Sequence, residues 1–237
     1  MAELPYTVLS CSVSLDGCLD DTSAQRLVLS NRADLDRVDA VRASCDAILV
    51  GAGTVRADDP RLAVRDPERR AQRVAQDRPP TPRKVTLTRH PTLDPQATIF
   101  AGGEGDPLVY AATAAVDATR RRLGDRATVV DAGDRPEVGW VSADLHARGV
   151  RRLMVEGGQD VLRQFLGAGV ADELQLVMAP VFVGHPGAPR LLGAERPAAE
   201  GTPRVDLAEV RQVEDVVLLR YALSARFEPD ELGGPAR

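Results

Sequence analysis

The sequence feature that most restricts the possible folds is the stretch of residues 151–166, RRLMVEGGQDVLRQFL. An apolar run at 153–155 fits a buried strand, an acid and two glycines follow it, and the apolar spacing of 161–166 fits one face of a helix. Glycines let a ligand approach the backbone, and unpaired N–H groups at a helix start attract anions, so this order predicts a phosphate site at the carboxyl edge of a sheet. The same pattern also fits an ordinary turn in which Glu156 is solvated and the glycines only allow tight packing.

Strand and helix patterns alternate along most of the chain. Short apolar or β-branched runs predict strands at 6–14, 47–50, 84–88, 97–101, 107–111, 127–131 and 152–155. Helices are predicted after a cap at Ser30 or Asn31, from 66 to about 76, and at 114–123, 140–148 and 159–168, whereas 51–60 is predicted as a loop. Strand-like runs at 172–184, 204–213 and 215–223 then follow one another without helices. We therefore expect an α/β fold of three αβα layers, with a mostly parallel central sheet and antiparallel C-terminal strands.

The chain shows no internal repeat and no clear linker. A single domain over residues 1–225 is the simplest division, with residues 226–237 as a C-terminal tail. Residues 184–203 are rich in glycine and proline, which is typical of a surface loop or lid.

The overall composition argues against several classes of partner. A net charge of −5 and an aromatic content of 3% do not favour nucleic acid or an anionic membrane. We expect no metal site and no disulfide framework, because spacing typical of metal ligands or of a C-x-x-C motif is absent among Cys11, Cys18, Cys45, His90, His146 and His185. The N-terminus lacks signal-peptide features and no apolar run is long enough to span a membrane, so a cytoplasmic location is expected.

The motifs leave few kinds of chemistry open. Gly51 and Gly53 supply a G-x-G, but Arg56 stands where the dinucleotide fingerprint has its third glycine. Neither a Walker loop nor a G-x-S-x-G elbow occurs, so phosphoryl transfer and serine nucleophiles are not supported. Chemistry that a positioned cofactor performs with few catalytic side chains remains, and hydride transfer fits that description.

Several ordered motifs then point to one family. They are S-L-D-G at 14–17, A-I-L-V-G-A-G-T-V-R-A-D-D-P-R-L at 47–62, L-M-V-E-G-G at 153–158, D-E-L at 172–174 and A-P-V-F-V-G at 179–184. In this order they resemble the riboflavin-biosynthesis reductases, the C-terminal half of RibD-type deaminase-reductases, over about residues 6–222. The resemblance implies a dihydrofolate-reductase-like fold, a homodimer, and NADPH-dependent reduction of the ribosylamino group of 5-amino-6-(5-phosphoribosylamino)uracil to ribitylamino.

The resemblance also implies roles for individual residues. Those of the cofactor site would be Asp16, Gly17, Gly53, Thr54, Asp58, Gly157, Gly158, Gln159, Asp160 and Val161. The phosphorylated pyrimidine would be held by Arg42, Leu62, Arg65 and Glu156. Asp58, Glu156 or a water molecule could supply the proton. Arg89, just after the predicted strand at 84–88, is a candidate partner for the 2′-phosphate of NADPH.

Each role has a simpler structural alternative. Thr54 could cap a turn, Asp58 could belong to an ordinary turn before Pro60, and Arg42 and Arg65 could be surface cations.

Two features depart from the family. The zinc deaminase signature of the bifunctional proteins is missing, and Arg26-Leu27-Val28 stands where they tend to place a small polar and then an aromatic residue, which puts the substrate in question. Alternatives are a reductase of another pterin, pyrimidine or specialised-metabolite imine, dihydrofolate included, or a non-catalytic nucleotide-binding protein. Against dihydrofolate, the single tryptophan, Trp140, lies far from the 15–17 turn.

Overall fold

The computed structural model describes residues 3–23, 27–101, 106–191 and 204–229. The strands are β1 (Tyr6–Val13), β2 (Ala47–Gly51), β3 (Arg83–Thr88), β4 (Leu108–Ala111), β5 (Thr128–Asp131), β6 (Arg152–Gly157), β7 (Glu173–Met178), β8 (Asp206–Val213) and β9 (Val216–Ala222). The helices are α1 (Arg32–Ser44), α2 (Ala52–Asp58), α3 (Pro67–Ala75), α4 (Val116–Leu123), α5 (Val138–Ala147) and α6 (Gln159–Ala168). No helix in these ranges is both long and apolar enough to cross a bilayer.

The strands form one sheet in the order β5-β4-β3-β2-β6-β1-β7-β9-β8 within the described ranges. All neighbours from β5 to β7 are parallel, whereas β9 runs antiparallel to both β7 and β8. Helices lie in the connections between consecutive parallel strands except β3 and β4, where the described part of the connection contains only turns, and the antiparallel β8 and β9 are joined by a tight turn at Glu214 and Asp215. The predicted mixed sheet with an antiparallel end is therefore confirmed.

The helices lie on both faces of this sheet. On one face α1, α2 and α4 pack against Val8, Ile48 and Met154, and on the other face α5 and α6 pack against Leu9 and Val155. The central strands β1, β2 and β6 are thus buried on both sides, which explains why they read as nearly continuous apolar runs. The predicted three-layer αβα arrangement is confirmed.

Residues 51–60, predicted as a loop, contain the helix α2. Ala52 and Val55 are three positions apart and both are buried, which supplies the inward face of a short helix. Asp59 ends the helix in the left-handed conformation, with φ 41°, and its N–H donates to the Val55 carbonyl at 3.2 Å. The prediction of a loop was wrong because glycine, threonine and aspartate in this stretch masked its helical spacing.

The predicted strand at 97–101 is also absent. Ile99 and Phe100 are buried in the core, but their segment is made of turns that bond locally, with the Phe100 N–H donating to the Ala97 carbonyl at 2.9 Å. These apolar residues fill the space between α4 and the sheet face rather than extending the sheet. A short apolar run cannot by itself distinguish a strand from a buried turn, and here that ambiguity gave the wrong element.

The helix α1 is held on the sheet by polar contacts at its N-terminal half. Asn31 caps it by accepting the Asp34 N–H at 2.8 Å, and donates to the Val213 carbonyl of β8 at 2.8 Å. Arg37 donates to the buried Asp34 at 2.8 Å and to Gln175 of β7. These contacts fix the rotation of α1, and therefore the direction in which Arg42, five residues after Arg37, leaves the helix.

Residues 224–229, at the boundary of the predicted tail, lie against the sheet. Arg226 donates to the buried carboxylate of Asp172 at 2.7 Å, and Glu228 accepts from Arg152 at 3.2 Å. Residues 230–237 lie outside the described ranges. These contacts hold the chain on the sheet for a few residues beyond 225. The division at residue 225 stays a prediction.

Candidate active site

The two glycine-containing turns noted in the sequence meet at the carboxyl edge of the sheet. β2 and β6 are parallel neighbours, and Val50 is paired with Gly157. A Cβ atom on Gly51 would lie 2.9 Å from Val161 Cγ2, and one on Gly158 would lie 2.7 Å from Thr54 Oγ1. Such distances are shorter than van der Waals contact, so glycine at these two positions is what allows α2 and α6 to begin side by side.

The turn between β6 and α6 leaves backbone donors available. Gly157 has φ 123°, a conformation that residues with a Cβ rarely adopt. No side chain of the described residues caps α6 at Gly158, and Gly158 O accepts from both Val161 and Leu162 N–H at 3.0 and 3.1 Å. The first N–H groups of this ten-residue helix, at Gln159 and Asp160, are therefore left without an intrahelical acceptor. This geometry is suited to an anion such as a phosphate.

A cleft of about 570 Å³ opens beside this turn. It contains most of the predicted cofactor and substrate residues: Arg42, Gly53, Thr54, Asp58, Arg65, Glu156, Gly157, Gly158, Gln159, Asp160 and Val161. They come from two stretches of sequence: 42–65, with parts of α1, α2 and the loop before α3, and 156–161, at the junction of β6 and α6. The fold thus brings two distant parts of the chain to one cavity.

Arg42 and Glu156 form a two-pronged ion pair in this cleft. Arg42 Nε donates to Glu156 Oε1 and Nη2 donates to Oε2, both at 2.6 Å, and Nη1 donates to the Ala63 carbonyl at 3.3 Å. The exposed fractions of the two side chains are 13% and 14%. Burial opposes the charge on Arg42, but the Glu156 carboxylate, with a smaller contribution from Asp39, outweighs that effect and the pKa of Arg42 is raised. Arg42 is therefore not the surface cation of the simpler alternative.

A second cavity of about 700 Å³ adjoins the cleft and shares Gly51, Gly53, Asp160 and Val161 with it. Arg89 lies in this second cavity, directly after β3. Its other polar lining includes four further basic side chains and one further acid: Arg56, His90, Arg135, Arg163 and Glu137. The predominance of cations makes this end of the combined groove suitable for a phosphate group that is remote from the first turn.

Three predicted site residues lie elsewhere. The Leu62 side chain is 1% exposed and belongs to the core beneath α1, and Asp16 and Gly17 are not among the described residues that line the two cavities. Asp16 instead accepts backbone N–H groups of Val183 and Gly184 at 3.0 and 2.9 Å. Arg26 lies outside the described residues.

Several lining residues were not among the predicted site residues, although the sequence analysis noted Leu27 and Val28 as a departure from the family. The apolar wall of the cleft is formed by Leu19, Leu27, Val28, Leu29, Leu35 and Val38, and Pro189 lies at its mouth. Val28 and Leu35 are 69% and 39% exposed, whereas Leu29 is buried. A partly exposed aliphatic wall in a cleft that also has polar lining fits a ligand with one flat apolar face and hydrogen-bonding edges. The described residues contain no group of His, Cys, Asp and Glu side chains that suits a metal ion.

Comparison with known proteins decides the family. The model of the RibD C-terminal domain matches residues 5–219. The chain belongs to this family. The recognition made from the sequence motifs is thereby confirmed, because the matched region includes every motif on which it rested.

Curated relatives include stand-alone and bifunctional proteins. A protein of Archaeoglobus fulgidus named 2,5-diamino-6-ribosylamino-4(3H)-pyrimidinone 5′-phosphate reductase is 35% identical over 81% of this chain and 87% of its own length. The riboflavin biosynthesis protein RibD of Bacillus amyloliquefaciens is 31% identical over 89% of this chain, but only 55% of its own length is covered. This chain therefore corresponds to nearly the whole of the first relative and to about half of the second.

Solved structures agree on the fold. One form of Acinetobacter baumannii RibD superposes with a TM-score of 0.76 at 24% identity, over 92% of this chain and 58% of that one. A pyrimidine reductase-like protein from Corynebacterium diphtheriae gives a TM-score of 0.71 at 22% identity, over 92% and 91% of the two chains. The architecture of the family is thus shared at low sequence identity.

Proposed function

We propose that this protein is an NADPH-dependent reductase of riboflavin biosynthesis, which converts the ribosylamino group of a 5′-phosphorylated pyrimidine to ribitylamino. The two adjoining cavities form one groove. The observation that carries the proposal is that this groove is lined by the start of α6, the Arg42–Glu156 pair and a cluster of arginines. A phosphate-bearing cofactor and a phosphate-bearing substrate both need such groups. Family membership and the names of the relatives support the same activity.

The residues of the groove fit a nicotinamide dinucleotide. The uncapped N–H groups of α6 suit a pyrophosphate, and the bare backbone at Gly158 beside the Thr54 hydroxyl lets it approach closely. Asp58, Gly53 and Val161 would contact the same molecule, and Arg89 in the adjoining cavity would meet the 2′-phosphate that distinguishes NADPH from NADH. When bound, this cofactor supplies the hydride that reduces C1′ of the opened ribosylamine.

The remaining part of the cleft fits the pyrimidine. Arg65 is exposed at its rim and suits the 5′-phosphate, while the aliphatic wall of Leu27, Val28 and Leu29 suits the flat face of the ring. Arg42 holds the Glu156 side chain in one rotamer before the substrate binds. Its carboxylate would therefore be in position to orient the hydroxyl or amino groups of the substrate. Both Glu156 oxygens already accept from Arg42, which leaves Asp58 or water as the simpler proton donor.

Two pyrimidines are candidate substrates. The sequence resemblance gives the uracil form, and a Thermotoga maritima structure sharing the fold is named as a deaminase and 5-amino-6-(5-phosphoribosylamino)uracil reductase. The relatives from Archaeoglobus fulgidus, Methanothermobacter thermautotrophicus and Aquifex aeolicus, all covered over more than four fifths of their length, are named for the 2,5-diamino form. The two molecules differ at ring position 2, where one has an oxygen and the other an amino group.

The test is loss of NADPH absorbance with purified protein and each pyrimidine, with dihydrofolate in parallel. Turnover of either phosphoribosylamino-pyrimidine alone would support the proposal, and the larger kcat/KM would identify the substrate. Binding of NADPH without turnover of any of the three would favour a reductase of another imine or a non-catalytic nucleotide-binding protein. Failure to bind NADPH would overturn the proposal.

Arg89 is the proposed determinant of the NADPH preference. Loss of one charge-assisted contact to the 2′-phosphate in Arg89→Ala is expected to weaken NADPH binding about tenfold while NADH binding stays unchanged. Dissociation constants from quenching of protein fluorescence measure both. An unchanged NADPH/NADH ratio would remove Arg89 from the role, and Arg83→Ala, at the start of β3 and outside both cavities, is the matched control.

We further propose that the protein is a homodimer formed through the end of the sheet. On the face opposite α1, strand registers align Leu176, Leu219 and Val210 across β7, β9 and β8. Leu207, Val210 and Val217 on this face are 53%, 60% and 37% exposed. A continuous exposed apolar sheet face of this kind is typical of a protein interface, and a second copy presents the same apolar surface to it.

A further inference from the structure

The turn that follows β1 is held to a distant segment through one carboxylate. Asp16 accepts from the Ser14 hydroxyl at 2.7 Å and from the backbone N–H groups of Val183 and Gly184 at 3.0 and 2.9 Å. The Arg190 guanidinium donates to the Asp16 carbonyl. Asp16 therefore contacts both ends of the 183–190 segment. Its carboxylate accepts from Val183 and Gly184, and its backbone carbonyl accepts from Arg190.

Backbone bonds continue the same junction. The Leu15 N–H donates to the Val181 carbonyl at 2.8 Å, and the Leu19 N–H donates to the Pro189 carbonyl at 2.7 Å. Residues 181–189 contain no helix or strand, so their position depends on contacts of this kind. Phe182 is 75% exposed and gives the segment little apolar packing.

The junction is connected to the mouth of the cleft. Pro189 and Leu19 line the cleft, and so does Gln159 at the start of α6. Gln159 Nε2 donates to the Arg190 carbonyl at 2.7 Å. A chain of contacts thus runs from Asp16 through Arg190 to the helix end that we assign to the pyrophosphate.

We propose that Asp16 is a positioning residue that holds segment 181–190 across the mouth of the cleft and thereby keeps Pro189 and Gln159 in place for cofactor binding. This rests on the proposed function for the identity of the ligand. It differs from the role implied by family resemblance, in which Asp16 contacts the cofactor itself, because Asp16 is outside the lining of the described cavities.

The electrostatics agree with a fixed carboxylate. Hydrogen bonds from the Val183 N–H, the Ser14 hydroxyl and the Gly184 N–H, in decreasing order of effect, hold the pKa of Asp16 well below its usual range. The group is therefore an ionised acceptor throughout the neutral pH range. Asparagine at this position retains one acceptor oxygen but turns an N–H₂ group toward backbone N–H donors, so it cannot replace both bonds.

The test compares Asp16→Asn and Asp16→Glu with the matched control Asp21→Asn, a neighbouring acid that accepts the Ser23 N–H at 2.7 Å. Hydrogen exchange of residues 181–190 and the dissociation constant of NADPH are measured on the full chain. In Asp16→Asn we expect exchange in this segment and the dissociation constant each to rise about tenfold, the effect of losing one charge-assisted hydrogen bond. The kcat at saturating cofactor should change less than about twofold. Asp16→Glu should recover part of both effects, and Asp21→Asn should show neither.

Three results would overturn the proposal. Unchanged exchange in Asp16→Asn would show that the carboxylate does not hold the segment, and faster exchange with unchanged NADPH affinity would show that the segment does not matter to the cofactor. Weaker NADPH binding without faster exchange would indicate direct contact instead. If the unaltered protein does not bind NADPH, the proposed function fails, whereas the exchange measurement still tests the contact of Asp16 with 181–190.

Discussion

At the scale of single residues, the Arg42–Glu156 pair is important both for the stability of the fold and for the proposed binding of the substrate. Two parallel N–H···O bonds fix both side chains, and their exposed fractions of 13% and 14% mean that neither charge is well solvated. A planar guanidinium is needed for this geometry, since a lysine ammonium offers only a point charge. The pair therefore keeps the Glu156 carboxyl group in place where the substrate is proposed to bind.

The first prediction follows from the penalty for an unpaired buried charge. Arg42→Met leaves Glu156 without its partner and should lower the free energy of unfolding by about 3 kcal/mol, measured by urea denaturation. Arg42→Met combined with Glu156→Gln should lose less, because no charge remains to be solvated. Both variants should raise KM for the pyrimidine. Equal stability losses in the two variants would contradict this account of the pair.

At the scale of elements, the glycines at the starts of α2 and α6 determine how closely these helices approach. Gly158→Ala should destabilise the protein by about 1–3 kcal/mol, because its Cβ would lie 2.7 Å from Thr54 Oγ1. Gly53→Ala is the matched control for stability. Its Cβ meets no described atom within 4 Å, and alanine in the helix α2 should be neutral or stabilising by up to about 1 kcal/mol.

The same pair of variants tests the cofactor site. If the dinucleotide passes over the start of α2, as proposed, the methyl group added in Gly53→Ala should hinder its approach. This variant should then bind NADPH more weakly although the variant protein is as stable as the unaltered one. Thermal denaturation and NADPH titration on both variants separate the two effects. Normal NADPH affinity in Gly53→Ala would argue against a close approach of the cofactor at this glycine.

Elements with a strong periodic pattern could be predicted from sequence, and α6 has the bounds that its apolar spacing predicts. The helix α2 could not, since only Ala52 and Val55 of its seven residues are buried. Residues 97–101 show the opposite difficulty. Their apolar side chains do enter the core, but hydrogen bonds to nearby residues, which the composition does not reveal, keep them out of the sheet.

The candidate site was predictable where one segment supplies it and not where the fold assembles it. The two glycine turns were recognisable as local motifs, and their juxtaposition follows from the adjacency of parallel strands β2 and β6. The pairing of Arg42 with Glu156 spans 114 positions of sequence, and the wall at 27–29 lies in an irregular segment. Such contacts depend on how α1 is rotated on the sheet, which the Asn31 cap and Arg37 decide through tertiary contacts.

At the scale of the whole molecule, the sheet is covered unequally at its antiparallel end. On one face Glu173 is fully buried and accepts from Tyr6, Gln175 and Arg220 at 3.0, 2.8 and 2.7 Å. On the other face β8 and β9 present Leu207, Val210 and Val217 to solvent. Breaking the buried ionic network around Glu173 would cost free energy, because its charges would lose their partners. Covering the apolar face would instead lower the free energy by removing apolar surface from water, so association is expected only on the apolar face.

The last prediction concerns this face. Val210→Glu places a charge at the centre of the proposed isologous interface, where it would meet its own copy, and should convert a dimer of roughly twice 25.4 kDa into a monomer. Light scattering coupled to size-exclusion chromatography measures the mass. The control, Val74→Glu on α3, introduces the same charge at a residue that is 55% exposed on another surface, and should leave the dimer intact. A monomeric unaltered protein at micromolar concentration, or a Val210→Glu variant that stays dimeric, would contradict the assignment of the interface. A dimer lost in both variants would mean that added negative charge, rather than the position of Val210, drives dissociation.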